Sequence, residues 1–196
     1  MADAYIQDVL RTPRGAARDW GALKACSPID LLGGLFSPLL ARSGAASATI
    51  DDVVIGCVTQ KSEQAGDIAR LAWLAHGGDA SVPAQTVNLL CASGLAACVQ
   101  ATERIRAGND RRIIAGGVES MSRSPFLSDD PLGHTDPAWM SRARNVPTGV
   151  VADHLATQAG FTRQSLEARA IESHHRAARA ESEGRFARSR LPVQDG

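Results

Sequence analysis

The stretch Val87-Asn88-Leu89-Leu90-Cys91-Ala92-Ser93-Gly94 marks the point at which a strand-like segment gives way to the start of a helix. Cys91 is expected in the first turn of that helix, beside free backbone N–H groups and the positive end of the helix macrodipole. Both features favour the thiolate form of a cysteine, which is the nucleophilic form. The small side chains that follow leave room for a substrate. An inert buried cysteine is the alternative interpretation.

Strands and helices alternate on both sides of this junction. Continuous apolar runs predict strands at residues 52–58, 82–88 and 112–118, preceded by a short strand at residues 5–10. Helical spacing predicts helices at residues 28–43, 67–76 and 92–107, and Pro38 is expected to kink or interrupt the first of them. This alternation predicts an α/β fold with helices on both faces of one sheet.

The character of the sequence changes after Ser122. Residues 124–147 are rich in Pro, Asp, Ser and Gly and show no sustained period, and such a long connection is often functional. Two helices are then predicted, at residues 149–159 and 162–183, and the second is charged almost all round. We therefore expect two parts, one from residue 1 to 122 and one from residue 123 to 196.

Composition narrows the classes of function. The 196 residues carry a formal net charge of zero and are 44% apolar, which is typical of a globular protein and gives no electrostatic reason to expect nucleic acid as a partner. The N-terminus lacks the features of a signal peptide, and no apolar run is long enough to span a membrane. Four scattered cysteines predict a reducing, cytoplasmic setting. No metal-ligand spacing is present, so no metal is expected.

Five segments carry a resemblance to a known family. The pattern VN-x-x-C-x-S-G around Cys91 resembles the nucleophile loop of the thiolases. Four further segments agree with that family in order and spacing: residues 11–15 (RTPRG), 56–60 (GCVTQ), 116–122 (GGVESMS), and 183–186 (EGRF) with 191–193 (LPV). Together they cover nearly the whole chain.

The resemblance implies a fold, and it implies that the catalytic motifs are divided between two halves of the enzyme. It implies a thiolase-like layered fold, of which this chain would form the N-terminal α/β half, with a mixed sheet, and part of a helical loop domain. Thiolases are about twice as long, and their second half supplies a histidine in a GHP motif, a cysteine in a C-x-G motif and an asparagine in an NEAF-type motif. None of these motifs occurs in the present sequence.

The resemblance also implies an activity. Cys91 would accept an acyl group from a coenzyme A thioester, in thiolytic cleavage of a 3-oxoacyl-CoA or in the reverse Claisen condensation. Coenzyme A thioesters would be substrates, with no permanently bound cofactor. Thr148 and Gly149 match the substrate-channel segment MG-x-TAEN, with Thr148 in the place of the methionine. Cys57 and Cys98 are expected to be structural.

Two alternatives remain open from the sequence. One is a non-catalytic thiolase-like module that works only in association with another chain. The other is a ketosynthase-like condensing enzyme. The thiolase-like segments at residues 56–60 and 116–122 argue against it. Because the sheet strands need cover, we expect a homodimer or higher oligomer, or pairing with a chain that supplies the C-terminal half.

Overall fold

The sheet at the centre of the fold has three strands. The computed structural model describes residues 3–193. These residues form two compact units, one of the residues up to Asp129 together with those from Ser189 onward, and one of Asp130–Arg188. The first unit contains β1 (Asp52–Gly56), β2 (Ala84–Val87) and β3 (Ile113–Gly117), in the order β2-β1-β3. The expected domain division after residue 122 stays a prediction.

All strand pairs in the described part of the chain are parallel, although a mixed sheet was expected. Residues 5–10, predicted as a strand, are not assigned to one. They are mostly exposed, and only the next residue, Arg11, forms an isolated bridge, to Arg190. An extended segment needs a neighbouring strand to complete its backbone hydrogen bonds, so strand-like sequence alone did not produce a strand here.

Helices cover the two faces of this sheet. The first unit contains α1 (Pro28–Gly33), α2 (Phe36–Ser43), α3 (Ile68–Ala75) and α4 (Ser93–Arg106). α3 follows β1 and packs on β1 and β2, whereas α4 follows β2 and packs mainly on β1 and β3. The two crossovers run in opposite directions along the sheet, so their right-handedness places α3 and α4 on opposite faces. The expected α/β layers are confirmed.

The side chains of β1 alternate between the two faces of the sheet. Val53 and Ile55 belong to the main core cluster, with Trp73 of α3 and Phe36 of α2, whose rings meet edge to face at 5.3 Å. The alternate residues of β1 point the other way, because side chains of a strand alternate between faces. On that side Asp52 pairs with Arg104 of α4.

Two details differ from the sequence prediction. The helical region at residues 28–43 breaks at Gly34 and Leu35 rather than at Pro38. Pro38 is the third residue of α2, where its missing N–H interrupts no intrahelical hydrogen bond. β3 is only partly buried, because it pairs on one side alone in the described part of the chain.

The second unit is helical. It contains α5 (Leu132–Thr135), α6 (Pro137–Ala143), α7 (Thr148–Gln158) and α8 (Arg163–Ser182), so the two helices expected there are confirmed. None of its described residues is buried. Ion pairs within α8, such as Arg163–Glu167 and Arg176–Glu172, lie at the i,i+4 spacing that modestly stabilises a solvated helix.

Candidate active site

Cys91 lies in the turn between β2 and α4 and is exposed. β2 ends at Val87 and α4 begins at Ser93, so the strand-to-helix junction expected from the sequence is present. The buried alternative for Cys91 is therefore wrong. Among the described residues, no hydrogen bond uses the backbone N–H of Cys91, which leaves that group free to donate to a ligand.

The residue before Cys91 holds a left-handed backbone conformation. Leu90 has a φ of 48°, which is unfavourable for a residue with a branched side chain by about 1–2 kcal/mol. Its N–H donates to Oδ1 of Asn88 at 2.9 Å, and its carbonyl accepts the hydroxyl of Ser93 at 2.5 Å. These bonds offset the unfavourable conformation and fix the direction in which the chain enters α4.

Ser93 holds this turn from inside the protein. It is only 4% exposed, and its hydroxyl both donates to the carbonyl of Leu90 and accepts the N–H of Leu89 at 2.9 Å. Its own N–H also donates to the carbonyl of Leu90 at 2.9 Å. One buried serine therefore ties both ends of the turn on which Cys91 sits.

Glycines let the start of α4 lie directly on the sheet. A Cβ at Gly56 would meet the carbonyl carbon of Ser93 at 2.4 Å and the backbone nitrogen of Gly94 at 2.5 Å. A Cβ at Gly117, the residue paired with Gly56 on β3, would meet the carbonyl oxygen of Gly56 at 3.2 Å. The sequence motifs that contain these glycines thus set the height of the helix above the strands.

A second hydrogen-bonded cluster lies in the loop after β1. The carboxylate of Glu119 accepts the N–H of Val58 at 2.9 Å and that of Thr59 at 3.4 Å. The fully buried Gln64 donates from Nε2 to Glu119 and to the carbonyl of Thr59, both at 2.8 Å, and accepts the N–H of Ser120 at 2.6 Å. This Glu119–Gln64 clamp joins the segments 56–60 and 116–122.

The side chain of Asn88 connects the clamped loop to the turn that bears Cys91, the proposed nucleophile turn. Its Nδ2 donates to the carbonyl of Val58 at 3.0 Å, while its Oδ1 accepts the N–H of Leu90. The two halves of one carboxamide therefore contact two segments that are far apart in the sequence. Both contacts lie at the carboxyl end of the sheet, where parallel α/β proteins place their ligand sites.

The other cysteines differ sharply in environment. Cys57 is buried at the end of β1, and burial, with a smaller contribution from the charge of Glu119, raises the pKa of its thiol from 9.0 to about 12. It is therefore a neutral thiol at ordinary pH, as fits a structural role. Cys98, expected in the core, is exposed: α4 turns Ala97 and Ala101 toward the sheet, so the position next to Ala97 points away from it.

The two predicted substrate residues lie in the second unit. Thr148 and Gly149 form the first turn of α7, after Pro147, and both are exposed. Their role in substrate binding stays a prediction.

The first unit contains a cavity of about 700 Å³ beside α1, lined among others by Cys26, Asp30, Leu35 and Pro192, and Cys91 is not among its lining residues. Within residues 3–193, no group of three or more His, Cys, Asp or Glu side chains is placed to hold a metal ion. No helix in the same range is long and apolar enough to cross a membrane.

The sequence did not indicate the residues that hold Cys91 in place. Ser93 lies two positions after the cysteine, and a serine at that position is equally compatible with an ordinary helix start. The Glu119–Gln64 contact joins residues more than fifty positions apart and leaves no periodic signal. The only local signal nearby was the pair of glycines Gly56 and Gly117, at which an added Cβ would meet backbone atoms.

Known proteins with similar sequence and structure agree on one family. The family model "Thiolase, N-terminal domain" matches residues 4–195. The chain is 36% identical to a 3-ketoacyl-CoA thiolase of Bacillus subtilis, over 99% of this chain and 49% of the relative. It is also 36% identical to a beta-ketoadipyl-CoA thiolase of Acinetobacter baylyi, over 98% of this chain and 52% of the relative.

The structural comparison agrees with the sequence comparison. The fold matches the crystal structure of the Acat5 thiolase from Ascaris suum in complex with coenzyme A, with a TM-score of 0.83 and 28% sequence identity. That match covers 98% of this chain and 52% of the other. The chain thus spans about half the length of the relatives it matches. With a family match along almost its whole length and a thiolase-like α/β half in its structure, this chain belongs to the thiolase family.

Proposed function

We propose that this chain provides the nucleophile-bearing half of a thiolase-type acyltransferase, with Cys91 as the acyl acceptor. One observation carries the proposal: an exposed thiol stands at the start of α4, on a turn fixed by Ser93 and Asn88, with its own backbone N–H free. A nucleophile, a rigid support and an oxyanion donor are the first requirements of acyl transfer through a covalent intermediate.

The proposed chemistry runs in either direction. In cleavage, Sγ of Cys91 attacks the 3-oxo carbon of a 3-oxoacyl-CoA, and the bond between that carbon and C2 then breaks. The electron pair remains on C2, which takes up a proton and leaves as acetyl-CoA. The thiol of coenzyme A next attacks the acyl-cysteine, which releases the shortened acyl-CoA and the free cysteine. Condensation is the reverse sequence. The N–H of Cys91 stabilises the negative charge on the attacked oxygen.

The proposed substrates are coenzyme A thioesters. Support comes from the names of the two relatives and from the coenzyme A bound to the similar thiolase of Ascaris suum. We assign Thr148 and Gly149 to the substrate channel, because they fall in the segment that resembles the family's channel motif. A threonine there is shorter and more polar than methionine, so the channel would be wider and more polar at this position.

Turnover is proposed to require a C-terminal thiolase half, in the same longer polypeptide or in a second chain. The first reason is the span of the match, about half of each relative. The second is the outer side of α4, where Leu95 is 68% exposed and Val99 is 51% exposed. With the exposed Leu89 and Leu90 of the turn, they form an apolar strip next to Cys91, and such strips mark interaction sites.

A second copy of this chain is the alternative occupant of that strip. A cytoplasmic setting is proposed on the ground that all four cysteines are free thiols.

Intact-mass measurement tests the nucleophile. The chain is incubated with acetoacetyl-CoA or acetyl-CoA, alone and with a C-terminal thiolase half. We expect a mass increase of one acetyl group that disappears in Cys91→Ala and persists in Cys98→Ala, the matched control at the exposed cysteine of the helix that follows. An adduct that survives Cys91→Ala contradicts the assignment. No adduct under either condition supports the non-catalytic module instead.

Light scattering coupled to size-exclusion chromatography tests the association. We expect an assembly larger than a monomer, reduced to a monomer by Leu95→Glu. Leu74→Glu, at an exposed leucine of α3, is the control and should leave the assembly intact. A parent chain that stays a monomer both alone and when mixed with a C-terminal thiolase half contradicts the proposed association.

A further inference from the structure

We propose that Asn88 is a positioning residue for Cys91, and that it acts by anchoring the nucleophile turn to the Glu119–Gln64 clamp. This inference deepens the proposed function and rests on it for the chemical readout. The starting observation is that the carboxamide of Asn88 contacts the N–H of Leu90 on one side and the carbonyl of Val58 on the other.

The first contact holds the backbone of the turn. Leu90 occupies a left-handed conformation, and the bond from its N–H to Oδ1 of Asn88 is the turn-forming contact that an asparagine makes with the backbone two residues on. Without an acceptor at this point, Leu90 is free to relax toward a negative φ. Relaxation would rotate the next peptide, which carries the backbone N–H of Cys91.

The second contact ties the turn to the loop after β1. The residue that Asn88 contacts, Val58, is itself fixed, because its N–H donates to Glu119. Glu119 in turn accepts a hydrogen bond from Gln64, which is fully buried and uses both its donor and its acceptor atoms within the clamp. The chain of contacts therefore runs from a buried glutamine to the residue before the nucleophile.

The geometry of acyl transfer explains why this anchor matters. A nucleophile and an oxyanion donor must keep a fixed separation, and a misplacement on the order of 1 Å is enough to slow a reaction strongly. Sγ and N–H of Cys91 belong to one residue, so their placement depends on the backbone of the turn. Ser93 fixes the helix side of that turn, and Asn88 fixes the strand side.

Three substitutions and one control distinguish the two contacts of Asn88. Asn88→Ser keeps a short acceptor that can reach the N–H of Leu90 but cannot reach Val58. Asn88→Ala removes both contacts. Glu119→Gln weakens the clamp, because its amide nitrogen cannot accept from the donors that the carboxylate now serves. Gln60→Ala is the matched control: its carboxamide lies in the same loop and, among the described residues, donates one long hydrogen bond of 3.4 Å to the carbonyl of Cys57.

The chemical readout is the rate of acyl-cysteine formation at Cys91 in the full chain. We expect Asn88→Ala and Glu119→Gln to lower this rate between about twofold and tenfold, the range of one net hydrogen bond. The rate for Asn88→Ser should lie between the rates for Asn88→Ala and the parent, and the rate for Gln60→Ala should equal that of the parent. Iodoacetamide labelling of the buried Cys57 should stay unchanged in all variants, because unfolding would raise it.

A second readout does not depend on the chemistry. Amide hydrogen exchange at Leu90 should accelerate between about twofold and tenfold in Asn88→Ala and much less in Asn88→Ser. If the parent forms no acyl-cysteine, the proposed function is contradicted. The exchange rate at Leu90 then tests the positioning role by itself. Unchanged exchange at Leu90, an acylation rate equal to the parent in Asn88→Ala, or a rise in Cys57 labelling parallel to the loss would each overturn the proposal.

Discussion

Replacement of Gly56 by alanine should separate the start of α4 from the sheet. The added Cβ would lie 2.4 Å from the carbonyl carbon of Ser93, whereas ordinary contact begins at 3.4 Å. The obstructing atoms are backbone, so no side chain can rotate away. Either the helix start rises by about 1 Å or β1 bends, and overpacking of this kind is destabilising by about 1–3 kcal/mol.

Urea denaturation measures this effect. A loss of about 2 kcal/mol should lower the unfolding midpoint by about 1 M, because the slope for small proteins is about 1–3 kcal/mol per molar urea. Gly116→Ala is the matched control. Gly116 lies on β3 opposite Ile55, and a Cβ there would have no heavy atom within 4 Å. Its stability should change by less than about 1 kcal/mol.

The Gly56→Ala variant also tests the turn that bears Cys91. Because Ser93 is the residue that meets the new Cβ, the hydrogen bonds that it makes to the turn should be disturbed together with the helix start. Acylation of Cys91 should therefore fall in Gly56→Ala and not in Gly116→Ala. Equal urea midpoints for the two variants, or a Gly56→Ala protein as stable as the parent, would refute the claim that this glycine sets the helix height.

Three more predictions concern side chains around the same strand. The raised pKa of Cys57 means that the folded protein holds this proton longer than the unfolded chain, so its stabilising contribution is complete below pH 9.0 and is lost as the pH rises toward about 12. Chemical denaturation across that range should show a loss of at most about 4 kcal/mol that is absent in Cys57→Ala. Arg104→Ala leaves the buried carboxylate of Asp52 without its cation and should lower the unfolding free energy by about 3 kcal/mol, and a second change, Asp52→Asn, should recover part of it. Ser93→Ala leaves two backbone groups of the turn without their hydroxyl partner and should cost about 1–3 kcal/mol, as read from thermal unfolding.

The sequence was most informative where burial is complete. β1 is buried along its whole length and was visible as a continuous apolar run, and α3 and α4 followed from their helical spacing. The resemblance correctly identified the family, the layered α/β fold and the junction that bears Cys91. These features depend on local composition, which a sequence displays directly.

Features that depend on distant partners were not visible in this way. Residues 5–10 have the composition of a strand, but strand formation requires a neighbour that composition does not specify. Cys98 is apolar enough for a core, yet its exposure depends on which side of α4 faces the sheet. The contact between Asn88 and Val58 joins two loops, and no local pattern encodes it.

The two sides of α4 connect chemistry with assembly. Its inner side carries the small residues Ala97 and Ala101, which bring the helix close to the sheet, while its outer side exposes Leu95 and Val99. Water on the outer side screens the field of the helix and competes for the free N–H of Cys91. A protein surface seated there would exclude that water, and both effects grow stronger as the local dielectric falls. In the proposed assembly the apolar strip and Cys91 would therefore be coupled: a partner that covered the strip would also complete the electrostatic environment of the proposed nucleophile.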